Sequence, residues 1–178
     1  MSRLQKKYKD EIVPELKNRH GSRNAMDLPR LKKVVISMGI GEGLKDKNAI
    51  QEHAAELALL SGQKPVVTKA KKANSNFKLR EDQPIGLMVT LRGKRMFDFV
   101  DRFCHIVSPR IRDFRGFNPK CDGRGSFNFG VTDQQIFPEI NLDKVKRTQG
   151  MNIVLVTSAK NDADCIELLT LLGFPFKS

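Results

Sequence analysis

The residues able to do covalent or metal chemistry are few in this chain and poorly placed for it. Cys104, Cys121 and Cys165 are odd in number and widely spaced, and no CxxC pair occurs, so neither a zinc ribbon nor a redox dithiol is indicated. Three free thiols fit a reducing compartment. His20, His53 and His105 are scattered. Cys104 beside His105 looks like a dyad on paper, but neighbours on a helix point about 100° apart. Cys104 also falls on an apolar stripe, which marks a buried structural thiol rather than a nucleophile. Asp98 and Asp101 stand among Lys94, Arg95 and Arg102, the pattern of solvated ion pairs on a helix face. GIGEG, residues 39–43, matches neither the dinucleotide nor the Walker spacing. It reads as a tight strand-to-helix turn, with a backbone contact to RNA as the lesser alternative. No GxSxG and no metal-ligand cluster occurs, and Asp162 and Asp164 suit a helix N-terminus better than a cation. The sequence predicts no catalysis, no cofactor and no metal.

What the chain does concentrate is positive charge. It carries 32 Lys and Arg against 20 Asp and Glu, net +12, with a pI near 9.8. A surplus of this size points to a polyanion, nucleic acid ahead of an anionic membrane. No apolar run approaches the roughly 20 residues of a spanning helix. The N-terminal MSRLQKKYKDEIVPEL has charges where a signal peptide has its apolar core, so a cytosolic protein without a membrane partner is expected.

The cations gather in two places. VVTKAKKANSNFKLRE, residues 66–81, holds Lys69, Lys71, Lys72, Lys78 and Arg80 before its first acid, Glu81. Like charges this close repel, so the stretch is either a solvated flexible loop or a contact for a polyanion. Phe77 beside Asn74, Ser75 and Asn76 favours the contact: cations meet phosphates, and a ring or an amide meets a base or ribose. The second place is PRIRDFRGFNPKCDGRG, with Arg110, Arg112, Arg115, Lys120 and Arg124 around Phe114 and Phe117. A contact to RNA and a contact to protein fit it equally.

Periodicity supplies the elements that must position these groups. Leu4, Tyr8, Ile12 and Leu16 predict a helix over 2–19, with a kink or break at Pro14. KVVISMGI, 33–40, alternates as a strand, and residues 41–46 turn the chain. Residues 48–60 are predicted helical, with Gly62 at the C-terminus. Strands over 65–70 and 85–92 flank the first basic stretch, a connection much longer than a usual hairpin loop. The strongest helical pattern covers 94–107, and Pro109 is expected to end it. The second basic region reads as a loop. Strands follow at 127–131 and 151–157, and a last helix at 163–172.

This order of elements predicts one domain over 1–178 of class α+β: a curved antiparallel or mixed sheet, helices on one face, long basic loops. The uncovered sheet face would carry small or polar residues, Ser37, Gly39, Thr68, Gly86, Thr90 and Arg92, and would let another backbone approach closely.

VVTKAKKANSNFKLRE, PIGLMVTLRGKRMFDFVDRF, PRIRDFRGF, GRGSFNFGV, QIFPEI and the closing LLGFPF run in one order along essentially the whole chain. In these blocks the chain resembles the bacterial large-subunit ribosomal protein number five, the universal family that binds 5S rRNA. The resemblance implies a non-enzymatic, cytoplasmic, ribosomal RNA-binding protein. Its partners would be 5S rRNA, large-subunit rRNA, P-site tRNA and a small-subunit head protein across an intersubunit bridge. For 5S rRNA it implies Lys64 and Arg92 on phosphates, and Ser37, Gln63, Thr68 and Thr90 on ribose or base edges. For tRNA it implies Lys71, Lys72, Asn76, Lys78 and Arg80, on a loop expected to be mobile in the free protein. For the bridge it implies Arg110, Arg112 and Arg115. Two departures stand out. Ser37 replaces an Asn common in the family, shortening that side chain's reach. Phe127 replaces a frequent Tyr, so a hydroxyl contact would be missing. The competing reading is a non-ribosomal RNA chaperone or regulator using the same surface.

Overall fold

The computed structural model describes residues 2–21, 24, 26–41, 47–142, 145 and 147–177. Helix α1 (Arg3–Lys7) starts at Ser2, whose Oγ accepts from the Gln5 amide at 3.3 Å. It passes through a π-helical turn (Tyr8–Ile12) into α2 (Val13–His20). The expected interruption at Pro14 is not a break. The wide turn comes just before the proline, which then occupies the first turn of α2, where a missing N–H forfeits no helical bond. Gly21, at φ 59°, ends the helix.

Strand β1 (Leu31–Gly39) is followed by α3 (Lys47–Ser61), β2 (Val66–Lys69) and β3 (Pro84–Leu91). The turn expected at 41–46 lies, from residue 42 on, outside the described residues. Helix α4 (Gly93–Arg102) continues through a second π turn (Phe103–Val107) into a 3-10 turn (Ser108–Arg110). Pro109 therefore does not stop the helical path. It sits at the start of the new tight turn, where its fixed φ is suited. Strand β4 (Ser126–Val131), a 3-10 turn (Gln134–Ile136), β5 (Met151–Thr157) and α5 (Asp162–Leu171) complete the described elements. The class is α+β, with an open five-stranded antiparallel sheet ordered β2-β3-β1-β5-β4.

Contacts gather the chain into two compact units. The first comprises Met1–Val34, Leu91–Phe129 and Val154–Ser178. Its core is aromatic. Phe103, 1% exposed, lies 4.9 Å from Phe129, 5.9 Å from Phe117 and Phe174, and 6.3 Å from Phe99, centroid to centroid. Phe127 is just as buried, against Phe129, Phe174 and Phe176. The ring that stands in place of the family's frequent tyrosine is therefore a packing residue, facing inward. The second basic region is anchored in this unit. Asp162 accepts from the amides of Gly123 and Gly125 at 3.1 and 3.2 Å. Asp122 accepts from those of Arg124 and Ser126, both at 2.9 Å. These amides hold the Asp122 carboxyl below its ordinary pKa. The Phe117 amide donates to the Pro175 carbonyl, and the Lys177 amide donates to the Phe117 carbonyl.

The second unit comprises Val35–Thr90 and Gly130–Ile153. Ile36, Met38, Ile40, Leu57, Leu60, Leu87, Val89, Met151 and Ile153 are among its buried apolar residues. The alternation predicted for β1 and β3 is present: the residues between these point outward, half-buried or exposed, apart from Gly86. Gly86 is fixed by packing. A Cβ there would lie 2.5 Å from the Met38 carbonyl oxygen and 3.0 Å from Thr68 Oγ1.

Candidate nucleic-acid interface

The outward face of the second unit gathers Ser37, Gln63, Lys64, Thr68 and Thr90, all of the residues assigned to 5S rRNA except Arg92. Thr68 stands opposite Gly86, and Val66 opposite Met88, in the β2–β3 ladder. Val66 and Met88 are 62% and 38% exposed, so this face carries an apolar step that the polar reading of the sequence passed over. Thr68 and Thr90 are half-buried, with hydroxyls turned outward by strand alternation. At the end of α3, Gly62 takes φ 65° and its amide donates to the Ala58 carbonyl. Ser61 Oγ lies 2.6 Å from the Leu57 carbonyl and 2.9 Å from the Gln63 carbonyl, a donor to either. This turn delivers Gln63 to the strand, where its Nε2 donates to the Thr90 carbonyl at 3.4 Å, and leaves Lys64 exposed.

Next to Ser37 the same unit has an open hollow lined by Ser37, Gly39, Gly130, Thr132, Gln149 and Asn152 with their neighbours. Sequence reasoning missed its far wall, because residues 132–150 show no helical or strand period. The wall is held from inside. Gln134 is fully buried; its Nε2 donates to the Arg147 carbonyl at 2.7 Å, and its Oε1 accepts from the Gln149 amide. The Gln149 side chain then donates to the Gly39 and Gly150 carbonyls, each at 3.1 Å.

The basic stretch between β2 and β3 carries local backbone and side-chain hydrogen bonds. Its tip closes as a small hairpin in which Asn74 and Leu79 exchange both backbone bonds at 2.9 Å. The Asn76 amide donates to Asn74 Oδ1 at 3.0 Å, and the Arg80 amide to Gln83 Oε1 at 2.8 Å. Lys71, Lys72, Asn76 and Lys78 are exposed, as are Arg80 and, at 72%, Phe77. Among the described residues Lys69 meets Asp82 at 3.8 Å, while the tip cations Lys71, Lys72, Lys78 and Arg80 have no carboxylate within ion-pair distance. Lys78 sits at φ 53°, a left-handed conformation that glycine or asparagine adopts more readily. Folding alone would not choose lysine there.

The remaining assigned residues belong to the first unit. Arg92 is exposed and extended at the N-cap of α4. Arg110, Arg112 and Arg115 are exposed, on the region that Asp122 and Asp162 anchor, and Arg112 pairs loosely with Asp113 at 3.7 Å.

The candidate chemistry resolves into structure. Asp101 pairs with Arg3 at 2.7 Å and lies 3.1 Å from His105 Nδ1, one turn further along the same helical path. Burial pushes the Cys104 and Cys165 thiols each up to about 12, the reverse of nucleophile activation. Among the described residues no group of His, Cys, Asp or Glu could hold a metal ion. No described helix is long and apolar enough to cross a membrane.

Comparison with known proteins agrees with this picture. A family described as Ribosomal protein L5 matches residues 24–80, and the family describing the C-terminus of the same ribosomal proteins matches residues 84–176. The large ribosomal subunit protein uL5 of Protochlamydia amoebophila is 66% identical over 178 residues, covering 100% of this chain and 96% of that protein. The proteins of the same name from Chlamydia abortus and Chlamydia pneumoniae are 61% and 60% identical, each covering 99% of this chain and 98% of the relative. A basic α+β chain with an open polar sheet face and such relatives is a ribosomal protein, structural rather than enzymatic. It belongs to the ribosomal protein L5 family.

Proposed function

We propose that this chain is a constituent of the large ribosomal subunit that holds 5S rRNA in the central protuberance through the outward sheet face. Lys64 and Arg92 neutralise phosphates; Ser37, Gln63, Thr68 and Thr90 bond riboses and base edges. The hairpin tip, with Lys71, Lys72, Asn76, Lys78 and Arg80, reaches P-site tRNA. Arg110, Arg112 and Arg115 meet a small-subunit head protein in an intersubunit bridge. The observation that carries this reading is the full-length identity to relatives named as large-subunit proteins. The outward face of the second unit supports it, since the small side chains of Ser37, Thr68 and Thr90 admit an RNA backbone.

The test is binding to 5S rRNA beside an unrelated folded RNA of equal length across a salt series. Phosphate contacts alone weaken both complexes in parallel as salt rises. A preference for 5S rRNA that persists at higher salt is the expected result. Equal binding that collapses together would reduce the protein to a generic polycation and remove the site assignments.

A further inference from the structure

We infer that the hollow between Gly39 and Asn152 receives one unpaired nucleoside of the bound RNA and supplies sequence discrimination without phosphate contact; this rests on the proposed binding of 5S rRNA by the sheet face. Four observations carry it. First, on a chain of net charge +12, the described lining of the hollow bears no formal charge. A phosphate site would recruit cations, whereas a neutral wall of hydroxyls and amides matches base and ribose edges. Second, hydrogen-bonding capacity is unused there. The side chains of Ser37, Thr132 and Asn152, and the side-chain oxygen of Gln149, have no partner among the described residues. Third, the wall is preorganised: Gln134, fully buried, commits both ends of its amide to holding residues 147 and 149. That fixes the exposed groups before binding and lowers the entropic cost of recognition. Fourth, the hollow is open to the surface and, at about 610 Å³, has room for one nucleoside entering from a bound RNA.

Gly39 turns the inference into an experiment. Its φ is not in the left-handed region, and a Cβ there would meet nothing within 4 Å. Among the described residues no contact or strain requires glycine at this strand position. The space a side chain would fill is the space the nucleoside is assigned. Gly39→Val should therefore leave the fold intact, because a β-branched residue suits a strand, while obstructing the hollow.

The experiment measures the full chain and its Gly39→Val and Asn152→Ala variants against 5S rRNA and an unrelated folded RNA of equal length, at two salt concentrations, with thermal melts. Chemical probing of bases and 2′-hydroxyls accompanies the 5S complexes. Expected for Gly39→Val are an unchanged melt, a roughly tenfold or greater loss of affinity for 5S rRNA, unchanged binding of the other RNA and an unchanged salt slope. One unpaired nucleotide of 5S rRNA should be protected by the wild type and exposed by the variant. Asn152→Ala should show a smaller loss, roughly fivefold, of the same character. If Gly39→Val melts early, Asn152→Ala decides. Variants that bind 5S rRNA like the wild type would overturn this inference and leave the proposed function standing. A wild type with no preference for 5S rRNA would overturn both.

Discussion

The two units use their distinctive residues differently. In the first, rings face rings: Phe99, Phe103, Phe117, Phe127, Phe129, Phe174 and Phe176 pack on one another, and even the basic loop is tied down by Asp122 and Asp162. The chain's own packing accounts for most of what is there. In the second unit, much is left unexplained by packing. Among the described residues its outward face carries hydroxyls without partners, exposed Val66 and Met88, a glycine at 39 that no neighbour constrains, and hairpin-tip cations without a carboxylate in reach. Residues that the fold does not need are the ones to assign to something outside it. That contrast can be tested by substitutions whose effect on stability should descend from one unit to the other.

The largest effect belongs to the aromatic core. Phe103→Ala removes a ring packed on Phe99, Phe117, Phe129 and Phe174 and leaves a cavity that rigid surroundings cannot fill. A loss of about 3–5 kcal/mol in urea unfolding is expected. RNA affinity of the fraction that remains folded should be unchanged. A variant with full stability would mean that the cluster is not the anchor of its unit.

Gly86→Ala comes next, and it marks where packing reaches into the outward face. The added methyl meets the Met38 carbonyl and Thr68 Oγ1, so the β1–β3 spacing must give. About 1–3 kcal/mol of stability should be lost. Any loss of 5S rRNA binding should follow Thr68 and Met38 as they shift. Gly39 and Gly86 share a sheet and look interchangeable in the sequence, but only one is held by its neighbours.

A more gradual effect, confined to alkaline pH, is expected from the buried thiols. Burial pushes the Cys104 and Cys165 thiols up from 9.0 to about 12. Above pH 9 both thiols ionise in the unfolded chain while the fold still holds them neutral, so the folded state binds more protons and loses stability as pH rises toward 12. At lower pH they give no slope. Cys121 is also raised by burial but is only half-buried, so it should be the first to react with iodoacetamide. Equal alkylation of all three thiols in the native protein would contradict this.

What could be read in the sequence follows from what is local. Strands β1 and β3 and the helix over α4 announced themselves by period, because each buries one face. The outward residues Ser37, Thr68 and Thr90 followed from the same alternation. The pieces that were not readable depend on partners far along the chain. Arg3 on Asp101, Asp162 on the amides of Gly123 and Gly125, and Gln134 on Arg147 and Gln149 have no sequence period that brings them together. Pro14 and Pro109 misled for a related reason. A proline forbids a bond only where one would have formed, and a π turn before Pro14 and a new 3-10 turn at Pro109 remove that demand.

The smallest effect on stability, and the clearest separation of fold from function, is expected at the hairpin tip. Replacing Lys71, Lys72, Lys78 and Arg80 by Ala should change stability by no more than about 0.5 kcal/mol per substitution, because these side chains are exposed. If each meets one phosphate, the salt slope of tRNA binding should shrink by about 3, while the preference for 5S rRNA persists. Lys78→Gly isolates one of them with opposite signs in two measurements. Relief of the left-handed backbone at φ 53° should raise stability by about 0.5–1 kcal/mol. The lost cation should lower tRNA affinity and the salt slope together. A gain in stability with no change in either would mean that the lysine is an accident of the turn. A gain in stability with a loss in binding would mean that this chain keeps a strained backbone to place a charge where a partner needs it.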